Sequence, residues 1–284
     1  MLAMTKAVLA AALVLAAAGP QAPAPDEPPT EPFRIADHLF YVGSSDIASY
    51  LITTGDGDIL IDAGYADAET RLEANIAKAG VRLRDIKILL NTQAHVDHAG
   101  GFAALKRATG ARLLASEADA VMLERGGHGD FSLGETGRFP PVTVDERVAD
   151  EAHVRLGDAD LTAHLTPGHT RGCTTWTWDA VDRGHTYRAI DLCGLTILPS
   201  TKVSGMPGYP NIANDYRHTF HVLRSFRPDL FLGAHLSYFG GAAKAAQQRA
   251  QPDGPNRFVD PAGFRRFVDA AERQFTDRLA REQP

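Results

Sequence analysis

A chain of 284 residues is long enough for one large domain or two small ones, and 44% hydrophobic with 23% charged residues is the make-up of a globular enzyme. Its net charge of −6 excludes the basic face that a nucleic-acid binder needs. No basic amphipathic stretch marks a membrane-surface protein, so neither nucleic acid nor membrane is expected as a partner.

At the N-terminus, Lys6 precedes the apolar run AVLAAALVLAAA (7–18), as long as a secretory signal core and too short to cross a bilayer. Small residues follow, so 1–22 reads as a signal peptide. A buried Ala-rich helix is the alternative, but the run lacks a polar face and a cap. No cysteine follows to carry a lipid anchor. The stretch PQAPAPDEPPTEP (20–32) is Pro-rich and extended; 23–32 reads as a leader, and 33–284 as the folded domain.

HLFYVG, SYLITTGDGDILIDAG and IKILLNT are β-rich, with GDG (55–57) as a hairpin turn. DAETRLEANIAKAG (67–80) has helical spacing and a glycine stop; GFAALKRATG is a second helix, ARLLAS a strand and EADAVMLERGG a third helix. Residues 128–146 form a looser stretch, followed by a β-rich portion from Ala152 to about Leu198. PNIANDYRHTFHVLRSF reads as a helix and PDLFLGAH as a last strand. In DPAGFRRFVDAAERQFTDRL, Asp260 caps a helix with Pro261 at its first position, and Phe264, Phe267, Val268, Ala271 and Phe275 make a core-facing stripe. Alternating strands and helices without a second linker predict one α/β domain of packed sheets flanked by helices.

Two cysteines in an exported chain predict one disulfide. Cys173 and Cys193 lie in β-like runs that antiparallel pairing brings within bridging range, and the bridge contributes about 3 kcal/mol. Two free thiols, or Cys193 as a metal ligand, are the alternatives.

NTQAHVDHAGG (91–101) begins where an apolar strand ends, the place where α/β folds keep their ligands. Gln93, His95 and Asp97 alternate, so an extended backbone would project them to one side, with His98 breaking the pattern. Three side chains strung along a strand converge poorly on one ion, whereas two ions ~3.5–4 Å apart could divide them. His169 in TPGHT and His235 in GAH stand at turn and strand-end positions suited to a shared rim. His38, His164, His185, His218 and His221 have unremarkable settings, His164 that of a structural histidine; His128 lies in a Gly-rich loop where it can touch substrate. A histidine- and carboxylate-rich set suits an open, reactive site better than a closed structural one.

HVDHAGG with TPGHT and GAH resembles the metallo-β-lactamase superfamily of zinc hydrolases, whose motif is HxHxDH. FRIADHLFYVG, ILIDAG, ARLLASEADAVMLERGGHGDF, TAHLTPGHTRGCTTWTW and YPNIANDYRHTF are similar to the class B β-lactamases of subclass 3, in order, from about Phe33 to His235. The resemblance implies an αββα sandwich, exported to the periplasm, that hydrolyses β-lactam antibiotics and so confers antibiotic resistance. It implies a first zinc held by position 93, His95 and His169, and a second held by Asp97, His98 and His235. A hydroxide between the ions would attack the lactam carbonyl, oriented by Asp97, which is the catalytic residue of this reading. The partner is then a small β-lactam, and a monomer is expected.

Two positions depart from the family. Gln93 replaces a histidine, and a neutral amide oxygen is a weaker zinc ligand than imidazole, so one or two ions are expected with the first held less tightly. In DLCGLT, Gly194 and Thr196 fall where serines help hold the substrate carboxylate; Thr196 keeps a hydroxyl, and Lys202 can supply charge. The alternatives are a superfamily hydrolase of lactones or thioesters, for which Asp191 is the candidate metal-bridging aspartate, and a non-catalytic zinc-binding relative.

Overall fold

The computed structural model describes residues 30–282. The signal segment and most of the Pro-rich leader lie outside the described residues, and the first strand begins at Phe33. Strands β1 (Phe33–Ala36), β2 (Leu39–Tyr41), β3 (Tyr50–Thr54) and β4 (Gly57–Ile61) form an antiparallel meander. The GDG segment closes the β3–β4 hairpin, with Thr54 opposite Gly57.

From there the chain alternates: α1 (Glu69–Lys78), β5 (Ile86–Leu90), α2 (Val96–Ala99), α3 (Phe102–Thr109), β6 (Arg112–Ser116), α4 (Glu117–Glu124) and β7 (Glu146–Val148). Strands β4 to β7 pair in parallel, completing a seven-stranded sheet in sequence order. The second sheet is built from β8 (His153–Leu156), β9 (Ala159–Leu165), β10 (Thr174–Asp182), β11 (His185–Leu192) and β12 (Leu230–Gly233), in the order β12-β11-β10-β9-β8. Helix α5 (Ile212–Ser225) makes the crossover that lets β11 and β12 run parallel. The chain ends in α6 (Gly241–Ala250) and α7 (Pro261–Glu282).

Strand periodicity sorts the apolar side chains into layers. Ile59 and Ile61 of β4, Ile88 and Leu90 of β5 and Leu114 of β6 share a buried cluster with Ala163, Trp176 and Ile190 of the second sheet. The intervening Leu60, Leu89 and Leu113 instead join Leu72 and Ile76 of α1 and Phe102 of α3. A strand apolar on both faces, as IKILL is, therefore lies between a helix layer and a facing sheet. Beyond the second sheet, Tyr216 of α5 stacks on Phe275 of α7 with ring centroids 5.2 Å apart. The result is the expected αββα sandwich.

Asp260 caps α7 as read from the sequence, its Oδ1 accepting from the Gly263 N–H at 2.7 Å. Cys173 and Cys193 form a disulfide with Cα atoms 5.9 Å apart, which removes Cys193 from the candidate ligands. Local structure differs from the reading in three places. The loose stretch after α4 contains a 3-10 turn at Gly134–Gly137 and leads directly into β7. Helix α6 is absent from the reading because it is Ala- and Gln-rich with only Gly241 and Ala245 buried, so it carries no apolar stripe. Residues after β5 do not continue as a strand: His95 is extended, and the chain then coils into α2.

Strand ends from both sheets meet at one edge of the sandwich. The sheets are tied there by the Tyr50 hydroxyl donating to the Gly233 carbonyl at 2.8 Å and the Trp176 Nε1–H donating to the Asn91 carbonyl at 3.2 Å. A bridge between Ile47 and His235 completes the seam.

Candidate metal centre

Along this seam, six residues of the sequence-derived set emerge from four segments. Gln93 and His95 lie on the loop after β5, Asp97 and His98 on α2, His169 on the turn after β9 and His235 just after β12. The change from extended backbone at His95 to helix at Val96 divides the motif, so alternation along a strand does not arrange it. His95 presents Nδ1 to Nε2 of His169 at 3.1 Å. Separately, His98 Nε2 lies 3.3 Å from His235 Nε2 and 3.5 Å from an Asp97 carboxylate oxygen, which is 3.9 Å from His235 Nε2. Asp97, His98 and His235 thus form one compact donor group.

The separations carry chemical meaning. Tetrahedral zinc with bonds of ~2.0–2.1 Å holds neighbouring donor atoms about 3.3 Å apart. Ring nitrogens at 3.1 and 3.3 Å in two adjacent groups match that spacing. Gln93 is fully buried, and neither its amide oxygen nor its amide nitrogen has a hydrogen-bond partner. Buried polar atoms are nearly always paired, so an orphaned amide oxygen two positions before His95 is what an electropositive ion would satisfy. The donor set fits zinc.

Each histidine is held in its tautomer by a partner on its far nitrogen, the usual support of metal-binding imidazoles. His169 Nδ1 donates to the Thr196 carbonyl at 2.6 Å, His98 Nδ1 lies 3.0 Å from Asp62 Oδ2, and His235 Nδ1 lies 3.0 Å from Asp46 Oδ2. The ring of His95 turns Nε2 toward Asp130, 3.6 Å away, and the Ser132 hydroxyl. Sequence reading missed Asp46, Asp62 and Asp130. Asp62 had one signal, its place in ILIDAG at a strand end. It has a left-handed φ of 59°, a strained conformation that recurs at functional sites. Its carboxylate also accepts from the Thr92 N–H at 2.8 Å and the Thr92 hydroxyl at 2.5 Å.

Electrostatics divide the two groups. Burial, with a further push from His95, lowers His169 to about 3, so it is a neutral donor at working pH. Burial alone would also lower His98, but the Asp97 and Asp62 carboxylates reverse this and raise it to about 10. Asp97 is held well below the usual carboxylate range, since the surrounding histidines outweigh its burial. The hydrogen bond from His235 lowers Asp46 to about 2. The second group therefore contains an ionised carboxylate, while the residues of the first, Gln93, His95 and His169, include none.

Thr196 is exposed at the rim, its hydroxyl 3.1 Å from that of Tyr238, whose ring lies 4.9 Å from the His235 ring. Lys202 is exposed on the following loop and forms no ion pair among the described residues. His128 lies on the loop after α4, 62% exposed, with Nδ1 3.0 Å from a Glu135 oxygen. Gly194 has a steric reason to be glycine: a Cβ there would come 2.4 Å from Cδ2 of His169. A serine could not stand there with His169 in this place.

The remaining histidines behave as their settings suggest. His164 is spent on Glu151 and Thr177, both at 2.8 Å, which accounts for the separate Asp150, Glu151 and His164 group. His218 and His221 are exposed on α5. Asp191 lies in β11, buried with an unpartnered carboxyl, and outside the Asp97, His98 and His235 group. Burial, reinforced by Asp62, pushes it well above the carboxylate range.

An αββα sandwich with such donors along the seam of its sheets defines a class of metal-binding hydrolases. The family model of the metallo-beta-lactamase superfamily matches residues 43–179. Among solved structures, the FEZ-1 metallo-beta-lactamase from Legionella gormanii is 39% identical with a TM-score of 0.88, over 91% of this chain and 99% of that one. The class B3 di-zinc metallo-beta-lactamase LRA-12 from an Alaskan soil metagenome is 34% identical with a TM-score of 0.86, over 91% and 99%. A curated hydroxyacylglutathione hydrolase from Anaeromyxobacter dehalogenans is 37% identical over 134 residues, 47% of this chain. The chain matches 43% of that relative's length. The chain belongs to the metallo-β-lactamase superfamily and groups with its class B3 structures.

Proposed function

We propose that the protein is a zinc-dependent β-lactamase, acting as a monomer in the periplasm on penicillins, cephalosporins or carbapenems. The observation that carries the reading is the pair of adjacent donor groups, spaced for zinc, in a chain similar to class B3 enzymes along nearly its whole described length. Gln93, His95 and His169 would hold the first zinc, and Asp97, His98 and His235 the second. Bound zinc supplies a Lewis acid for the lactam carbonyl and brings the pKa of a coordinated water toward ~7. Asp97 stays ionised, so it serves both as a ligand and as the acceptor that orients the attacking water. Asp62 and Asp46 keep His98 and His235 aimed at the site. Thr196 offers a hydroxyl, and Lys202 a cation, to the carboxylate that β-lactams carry beside the ring, with His128 further out on the rim. The disulfide supports an oxidising compartment.

A thioester hydrolase is the second reading, favoured by similarity to hydroxyacylglutathione hydrolases. The place of Asp191 outside the Asp97, His98 and His235 group speaks against its bridging two metals as that reading needs. The test is hydrolysis of a chromogenic cephalosporin, a carbapenem and a glutathione thioester by purified protein, with and without chelator. Lactam turnover lost to chelator and restored by zinc is expected. Turnover of the thioester alone would establish the second reading, and no turnover at full zinc loading would make this a non-catalytic zinc binder.

A further inference from the structure

Asp46 and Asp62 brace the second donor group; the first has no carboxylate of that kind on its ligands' far nitrogens except Asp130. A different acid stands behind it. Asp119, in the first turn of α4, is 2% exposed. Its Oδ2 accepts from the Ala94 N–H at 2.9 Å and the Thr170 hydroxyl at 3.3 Å, and its Oδ1 from the Gly172 N–H at 3.1 Å.

Those partners are placed tellingly. Ala94 separates Gln93 from His95, and Thr170 follows His169. One carboxylate therefore joins the loop that leaves the first sheet to the turn that leaves the second. The junction is tight: the Ser116 hydroxyl, which caps α4, donates to the Gly172 carbonyl at 2.6 Å. A Cβ on Gly172 would come 2.4 Å from the Asp119 backbone nitrogen and 2.5 Å from its carboxyl carbon. Burial pushes the Asp119 carboxyl up to about 7, against the pull of His95 and of these hydrogen bonds. None of its hydrogen bonds reaches α2 or the residues flanking His235.

We propose that Asp119 is the positioning residue of the first metal site, setting the distance between the Gln93–His95 loop and His169 and so the affinity for that ion alone. The proposal rests on the reading that Gln93, His95 and His169 hold a zinc. It makes α4, which bears no ligand, the brace of a centre shared between two sheets.

The experiment is competition of zinc against a chromophoric chelator for the wild type, Asp119→Asn and Thr170→Val, with cobalt(II) absorption spectra of each. Asparagine turns an NH2 toward one of two backbone donors, so one of the two loops is released. Expected for Asp119→Asn is a first-site affinity lower by roughly 10–100-fold, the range for lost outer partners, with the second site within about twofold of wild type. The cobalt band of the first site should shift or vanish while that of the second stays. Thr170→Val keeps shape and loses only the hydroxyl donor, so a smaller change in the same direction tests the proposal even if Asp119→Asn misfolds. Two zinc ions bound by the wild type with both constants unchanged in the variants would overturn the role of Asp119, as would equal weakening at both sites. Wild type that binds a single zinc even at millimolar concentration would overturn the first site itself, and the proposal with it.

Discussion

At Gln93 both ends of a buried amide lack partners. Each such group costs about 1–3 kcal/mol when left unsatisfied. A zinc ion would satisfy the oxygen and leave the nitrogen orphaned, whereas an imidazole offers a lone pair directly. The first site should therefore fill last: at limiting zinc, metal analysis should find about one ion, on Asp97, His98 and His235. Gln93→His should tighten the weaker constant roughly tenfold or more, since imidazole is the better zinc donor. An unchanged zinc titration would show that Gln93 is not a ligand. His95, Asp97 and His98 were legible as candidates because their spacing is local, and His169 and His235 because TPGHT and GAH resemble family motifs. Asp46 was not, since it stands 189 positions before His235, and no pattern along the chain links a residue to so distant a support. Gly194 shows the same limit: its lack of a side chain looked like a missing serine, and its cause is the His169 ring packed over it.

Among the elements, those with strong periodicity were read correctly, down to the Asp260 cap and the aromatic stripe of α7. Short elements escaped. Helix α2 is four residues long, too few for a helical period to show beside an alternating polar pattern, yet it turns Asp97 and His98 away from His95. The disulfide joins the turn before β10 to the end of β11, spanning 20 positions. Removing it with Cys173→Ser and Cys193→Ser should cost about 3 kcal/mol, a fall in Tm of roughly 6–12 °C in thermal unfolding. An unchanged Tm would mean that the paired strands alone, not the cross-link, restrain this segment. Because Cys193 directly precedes Gly194, some loss of order around His169 should accompany the change.

For the whole molecule, the metal centre is a seam between two sheets, so binding there couples to global stability. Zinc at a hundred times its Kd should stabilise the fold by about 2.7 kcal/mol, raising Tm by roughly 5–10 °C relative to protein held in chelator. The increment should depend on pH. His98 is held at about 10 and must give up its proton to accept a metal, so affinity falls as pH falls. The zinc-induced rise in Tm should be smaller at pH 6 than at pH 8; equal increments, or none, would mean that these side chains do not bind the ion. By itself the sequence determined where the strands and long helices run, and it offered the candidate side chains for the chemistry. These follow from local periodicity, turn chemistry and residue type. Only the tertiary structure decided which acids brace the donors, how α2 turns Asp97 and His98 from His95, and why Gly194 is bare. Those outcomes depend on contacts between two separately formed sheets, and side chains that meet across such a seam leave no period in the chain.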